Sequence, residues 1–475
     1  MRLPPLLLAL SGLATAAQLT HMNGRPVNVV RPAAFSRPSE LKEASHVARF
    51  EAIDSTGSQS HNFLKSALAV NRAPAAQAPF SEAVIAIRQG RIYSSKLAIG
   101  SQIFDLIMDT GSSDTWVASE HYICDDGFGH DIGQDDCLFG PAYTPSPTSQ
   151  SVPGLTFNIS YADGEFLDGQ FVHENVALGG LEVEKQQIAI IDRAFWFGDN
   201  KSSGLMGLAY PELTNSFPNG NVSRGNGQNY ESLMFSLIRT RKTDPLFSIA
   251  LDRTSQPISE GGVIAIGGLP PGVAYHSPWA VTPIELFQLL PSDNQEFTFY
   301  AIGIQGIAVG KLSDSRKFRR SAKFLNAHSK PQEPKIEKRF LRPRQGAPVD
   351  LVFPIQFIVD SGTTLNYLPA YYSEAIAAAY EPPAVYNWLD GLYHVQCNAT
   401  VPYLAFQIGG QMLQIPPQDM IFQWNGTGTG GQPFCYTGFA DASQGINVLG
   451  GPFMKNVISV FDIGGARMHF AQRWY

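Results

Sequence analysis

Two tetrapeptides in this chain carry the side chains most suited to chemistry: Asp109-Thr110-Gly111-Ser112 and Asp360-Ser361-Gly362-Thr363. Each follows an apolar run, Phe104-Asp105-Leu106-Ile107-Met108 before the first and Phe353-Pro354-Ile355-Gln356-Phe357-Ile358-Val359 before the second. A strand that buries its apolar residues and then delivers a carboxylate into a tight glycine turn places that carboxylate where ionisation is costly, unless it is hydrogen-bonded or shares a proton. Paired carboxylates that cannot both ionise supply a general acid and a general base together, which is hydrolase chemistry. Asp-Gly turns are common for simpler reasons, and Asp163-Gly164 and Asp390-Gly391 are further examples here. A single Asp-Thr-Gly would therefore read as a turn. Two copies with matching apolar lead-ins read as a site.

The flanking residues extend the match. Asp109-Thr110-Gly111-Ser112-Ser113-Asp114-Thr115-Trp116-Val117 and Ile358-Val359-Asp360-Ser361-Gly362-Thr363-Thr364 resemble the two active-site segments of pepsin-like aspartic peptidases. Ile159-Ser160-Tyr161-Ala162-Asp163-Gly164 resembles the hairpin flap whose tyrosine closes over substrate. Gly204-Leu205-Met206-Gly207-Leu208-Ala209-Tyr210 and Val448-Leu449-Gly450-Gly451-Pro452-Phe453 resemble the apolar-apolar-Gly elements that follow each loop. The resemblance runs from about Phe80 to the end of the chain. It implies that Asp109 and Asp360 hold one water between them, that Ser112 and Thr363 bond the outer carboxylate oxygens, that Gly111 and Gly362 let backbone N–H groups approach, and that Thr110 and Ser361 support the pair. Tyr161 would close the flap and bond Trp116, with Ala162, Asp163 and Gly164 beside substrate. Neither a metal nor any other cofactor is implied; the partners are protein and peptide substrates. Three departures stand out: Ala162 where glycine is usual, Gly451 where many members have Asp, and an acidic Asp163, which in fungal members accompanies acceptance of lysine beside the scissile bond.

The elements that must position these residues read as many short strands punctuated by Gly, Pro, Asn and Asp. Helical patterning is confined to Asn229–Arg239 and Tyr372–Tyr380. The expected fold is all-β and bilobal, a pepsin-like acid protease fold with the site in the cleft between lobes 81–260 and 261–475, meeting near the Gly- and Pro-rich Pro257–Gly272. About 390 residues beyond the leader and pro-segment suffice for two cores.

Composition indicates a secreted protein. Residues 1–17, with Leu6-Leu7-Leu8-Ala9-Leu10 and then Ala14-Thr15-Ala16-Ala17, read as a signal peptide. No other apolar run is long enough to span a membrane, and the ending Gln472-Arg473-Trp474-Tyr475 argues against a lipid anchor. Delivery to an acidic vacuole fits the same features. Four cysteines in a secreted chain imply two disulfides in one of three connectivities; the family resemblance implies Cys124–Cys137 and Cys397–Cys435. Sequons at Asn200, Asn221, Asn398 and Asn425 are glycosylation candidates. The sequon at Asn158 lies too near the flap to carry a glycan.

Two basic segments interrupt an otherwise acidic chain. Residues 1–80 hold eight Lys/Arg against four acids, and 311–344 hold twelve against three. The rest carries about −20 near neutrality, against −7 for the whole chain. By resemblance, residues 18–80 are a propeptide that acts as an intramolecular inhibitor; its basic side chains pair with acidic rims until those rims protonate. The 311–344 run reads as an exposed insertion loop, either cut by a processing protease at Lys338-Arg339 or left as an intact solvated loop. It lacks the aromatic interleaving of a nucleic-acid site. The Asp131–Asp136 stretch reads as solvated rather than calcium-binding. There is no Gly-x-Ser-x-Gly elbow, His-Glu-x-x-His or Cys-x-x-Cys. A monomeric, secreted aspartic endopeptidase made as a zymogen is the expectation; a catalytically silent binding protein on the same scaffold is the alternative.

Overall fold

The computed structural model describes residues 41–53, 92–310 and 354–474, together with 21–22 and 25–26, apart from Ser45 and short breaks at 224–225, 242, 255–257, 288–295, 389, 428–432 and 443–445. The residues read as a signal peptide, most of the proposed propeptide, and the 311–344 run with Lys338-Arg339 lie outside the described residues.

Strands dominate. The strand Gln102–Asp109 buries Phe104 and Leu106 through Asp109, so the apolar lead-in is core up to the carboxylate itself. It pairs antiparallel with Ile92–Ile99 and parallel with Gly204–Gly207, and Gly204–Gly207 pairs antiparallel in turn with Thr115–Asp125. The second half repeats the plan. Ile355–Val359 runs parallel to Val448–Leu449, which pairs antiparallel with Asn366–Leu368 at Tyr367. The strand after each Asp loop also pairs in parallel with a long neighbour, Thr115–Asp125 with Leu181–Phe195 and Asn366–Leu368 with Pro433–Asp441. The same small knot of strands thus presents each Asp loop, giving the all-β, bilobal architecture.

Helices are few. The described ones include Leu233–Arg241 and Ala370–Ala377, each displaced a few residues from its expected position, and one turn at Gly451–Met454 that periodicity is too short to reveal. Pro369 before the second and Pro452 inside the third fit the preference for proline at a helix start. Just before the basic run stand two strands, Ala301–Ile304 and Gly306–Gly310, which pair with different partners, Ile355–Val359 and Tyr403–Ile408.

Where the halves are expected to meet, the Gly- and Pro-rich stretch supplies the strand Ile258–Ile266, whose neighbours are Leu246–Leu251 and His46–Ile53. Leu246–Leu251 pairs onward with Val457–Asp462, and that strand with Arg467–Gln472, so residues from both ends of the chain join one sheet. His46–Ile53 lies within the segment read as propeptide and as lacking periodicity. It is a strand with a partner on each side, the second being Ile92–Ile99. Leu41 and Val47 pack on a small core of Leu246, Ala250, Val263, Leu269, Ile458 and Val460. The largest cluster of buried apolar residues spans both halves, from Phe104 and Met108 through Tyr210, Tyr300 and Phe357 to Phe453 and Phe470.

Candidate active site

The two Asp loops meet at the centre. Asp109 and Asp360 are both fully buried, and their carboxyls lie within hydrogen-bonding distance of one another. Each turn folds back on its own carboxylate, Gly111 N–H donating to Asp109 Oδ1 and Gly362 N–H to Asp360 Oδ1, both at 2.8 Å. The other oxygen of each accepts from a hydroxyl three residues on, Ser112 Oγ for Asp109 and Thr363 Oγ1, at 2.5 Å, for Asp360. Gly111 is required by contact: a Cβ there would stand 2.6 Å from Asp360 Oδ2. Such an approach leaves no room for any other residue.

Thr110 and Ser361 cross between the halves. Thr110 Oγ1 donates to the Val359 carbonyl at 2.9 Å and accepts Ser361 N–H at 2.9 Å. Ser361 Oγ donates to the Met108 carbonyl at 2.9 Å and accepts Thr110 N–H at 3.2 Å. Four reciprocal bonds fix one loop against the other, so the carboxyl separation is set by backbone and short side chains rather than by flexible groups. Behind them, Leu208 N–H donates to the Asp109 carbonyl at 2.8 Å and Asp360 N–H to the Leu449 carbonyl at 3.1 Å. Gly451, at the departure noted above, holds the second loop through its backbone, its N–H donating to the Thr363 carbonyl at 2.9 Å.

Asp109 is pushed well above the usual carboxylate range. Burial is the chief cause, with the Asp360 charge and hydrogen bond next; Ser112 and Gly111 oppose it. Two carboxyls this close share a proton, and the shift belongs to the pair. The pair can therefore offer a base and an acid in one protonation state.

The flap is the turn 161–165 between the paired strands Gln150–Ser160 and Phe166–Leu178. Tyr161 is buried, and its hydroxyl accepts Trp116 Nε1–H at 2.8 Å. Burial, and then the charge of Asp109, push that hydroxyl well above its ordinary range. Gly164, at φ +97°, takes the left-handed position of the turn; Ala162 packs half-buried on the main core. Asp163 accepts Glu165 N–H at 3.2 Å within the turn, and its charge is the lesser of the two causes, after burial, that raise the Tyr367 hydroxyl.

Several partners of the site were not evident in the sequence. Asp114, fully buried, accepts Asn215 N–H at 3.0 Å, Asn215 Nδ2 at 2.8 Å and the Tyr230 hydroxyl at 2.7 Å. Even so, burial raises it to about 6. Trp196 stands edge-on to Trp116 at 5.0 Å and to Tyr161 at 5.9 Å. Of these, only Asp114 carried a signal, its place in the first loop motif.

The disulfides join Cys124 to Cys137 and Cys397 to Cys435. Among the sequons, Asn200, Asn221 and Asn398 are exposed, and Asn425 lies in the strand Ile421–Thr427. Asn158 instead donates through Nδ2 to Asp168 Oδ1 at 2.5 Å. Asp131 accepts from Arg193, which also grips Asp125, so the acidic loop is tied by an ion pair.

Comparison with known proteins follows the same line. The family model described as eukaryotic aspartyl protease matches residues 92–320 and 351–473. A probable aspartic-type endopeptidase of Aspergillus fumigatus is 35% identical over 446 residues, covering 93% of this chain and 90% of that one. Rhizopuspepsin-2 of Rhizopus niveus is 26% identical, covering 78% and 76% respectively. Penicillopepsin-3 of Penicillium janthinellum is 25% identical, covering 80% and 78%. An aspartic proteinase from Irpex lacteus has a similar solved structure, with a TM-score of 0.54 at 19% identity, over 82% of this chain and 96% of that one. With its carboxyl pair, crossed loops and flap on one scaffold, and with this extent of family match, the chain belongs to the eukaryotic aspartyl proteases and is a pepsin-like aspartic-type endopeptidase.

Proposed function

We propose that this endopeptidase is secreted as a zymogen and hydrolyses proteins at acidic pH, with Asp109 and Asp360 as its catalytic pair. The observation that carries the reading is the pair of fully buried carboxyls within hydrogen-bonding reach, each fed by its own turn N–H and hydroxyl. The ionised member takes a proton from a water held between the two as that water attacks the peptide carbonyl. The protonated member donates to the carbonyl oxygen, and a tetrahedral diol forms. The carboxyl protonated in that step then donates to the departing nitrogen while a diol hydroxyl returns its proton to the other carboxylate, so that the C–N bond breaks, a carboxylic acid is released and the pair again holds one proton. Tyr161 closes over this centre and excludes bulk water, which strengthens each interaction inside.

Acid operation follows from the pair itself. One proton must remain, and losing it on the alkaline side leaves two like charges and no acid. The basic pro-segment and the acidic body support a zymogen, since their attraction weakens as carboxylates protonate. The apolar leader supports secretion, and a vacuolar destination fits the same leader. For specificity, the resemblance to pepsin-like peptidases supports cleavage mainly between bulky apolar residues. Asp163, an acid in the flap turn, would also accept a lysine on the N-terminal side. Asp163→Ser should then remove cleavage after lysine alone; equal loss at every site would overturn this part.

The experiment is peptide release from a denatured protein between about pH 2 and 8, after acid pre-incubation, with Asp109→Asn as control and a statine-type transition-state mimic as probe. Acid-limited activity abolished in both is the expected result. An inactive wild type with residues 18–80 verifiably removed would leave a binding protein on a protease scaffold.

A further inference from the structure

We propose that Glu165 is a positioning residue for the flap, clipping its base to the Trp196–Phe197 segment so that Tyr161 is held against Trp116. The inference rests on the reading of this cleft as the catalytic site. Glu165 directly follows the turn glycine, where a glutamate would be expected to point into solvent, yet it is fully buried. Its Oε1 accepts the Phe197 N–H at 2.8 Å. Its backbone closes the turn as well: the carbonyl accepts Tyr161 N–H at 2.8 Å, and the N–H donates to Asp163 Oδ1 at 3.2 Å. One residue therefore ties the flap tyrosine, the acidic flap residue and a neighbouring segment together.

The segment it grips belongs to the aromatic wall behind the flap. Trp196 packs edge-on against both Trp116 and Tyr161, and Phe139 stacks on Trp196 at 5.9 Å. Phe197 stands edge-on to Phe195 at 4.8 Å, and Phe195 packs on Phe166, the first residue of the returning flap strand. The clip thus closes a ring of contacts: flap turn, Glu165, Phe197, Trp196, Trp116 and back to Tyr161. A buried carboxylate is a costly way to brace a turn, and a bond to it is correspondingly strong and directional. Tyr161 also feels the Glu165 charge, among the smaller of the influences that raise its hydroxyl.

Two variants separate the bond from the burial. Glu165→Gln keeps a carbonyl-type acceptor for Phe197 N–H; Glu165→Ala removes it. For Glu165→Ala we expect about a tenfold rise in KM and in the dissociation rate of a statine-type mimic, a smaller change in kcat, and unchanged pH midpoints of kcat. Tryptophan emission from the Trp116–Trp196 wall should shift in the same variant without substrate. Glu165→Gln should stay within about threefold of wild type in each reading. Wild-type kinetics and emission in Glu165→Ala would overturn the proposal, as would a glutamine variant as impaired as the alanine one. Full activity in Asp109→Asn would instead defeat the reading of the catalytic pair, and the emission shift would still decide the role of Glu165.

Discussion

At the scale of single residues, the site is built from buried carboxylates whose protonation is linked to the fold. Asp114 shows the consequence most clearly. Its carboxyl is raised from an ordinary 3.8 to about 6, because burial outweighs the donors Asn215 and Tyr230. Between those values the folded chain keeps a proton that the unfolded chain releases. The resulting stability is fully present below about pH 4 and is lost as pH rises through about 6, an effect of about 3 kcal/mol for a shift of this size. Asp109 is raised too and acts with the same sign. Unfolding of an Asp109→Asn background, which cannot digest itself, should show stability falling from pH 4 to 7. Adding Asp114→Asn, a mimic of the protonated acid, should change little at pH 4 and flatten that fall; parallel curves would show that Asp114 does not titrate in this range. Gly111 gives a second prediction at this scale. A Cβ 2.6 Å from Asp360 Oδ2 must push the carboxyls apart, so Gly111→Ala should lower kcat at least a hundredfold. Near-normal kcat in that variant would show that the pair tolerates a wider separation.

Among the elements, the flap and the two loops behave as units, and coupling between residues is the measurable property. Trp116 Nε1 and the Tyr161 hydroxyl form one bond. Trp116→Phe and Tyr161→Phe should each lower kcat/KM about five- to tenfold, and the double variant should be little worse than either. Full additivity would mean that the two side chains act separately. This bond was legible in advance, because both residues stand in motifs whose order along the chain matches the family. Thr110 and Ser361 were legible as neighbours of the pair, but their crossed bonds were not, since nothing local links residues 251 apart in the chain. The same limit hides Tyr230, 116 residues from the Asp114 it bonds. Glu165 carried no signal for a different reason: a glutamate beside a turn glycine is ordinarily exposed, and tertiary packing buries this one. Strand content was readable from punctuation and apolar runs, whereas strand pairing was not, because period-two alternation does not name a partner. That is why Pro257–Gly272 could be read as a meeting place of the halves without naming the partners of its strand Ile258–Ile266.

For the whole molecule, the sheet joining the halves bears directly on the proposed maturation. His46–Ile53 sits between Ile258–Ile266 and Ile92–Ile99, pairing at eight positions with the first and four with the second. Lys42 and Ala44 add bonds to Leu269 just before it, at 2.6 and 2.7 Å. If residues 18–80 leave as a propeptide, this strand must be drawn out of a sheet that also contains Leu246–Leu251 and Val457–Asp462, exposing two unpaired edges. The charge balance can loosen the basic pro-segment in acid, but it does not replace these backbone hydrogen bonds. The strand is therefore an assembly part as well as a candidate inhibitor. A chain beginning at residue 54 should refold with a yield at least about tenfold below the full chain, because the halves lack the strand that bridges Ile92–Ile99 to Ile258–Ile266. Supplying a peptide of residues 41–54 during refolding should restore part of that yield, whereas the same peptide with Phe50→Pro, which cannot donate to the ladder, should not. Equal refolding of the truncated and full chains would make the strand dispensable and return His46–Ile53 to the role of a removable cover.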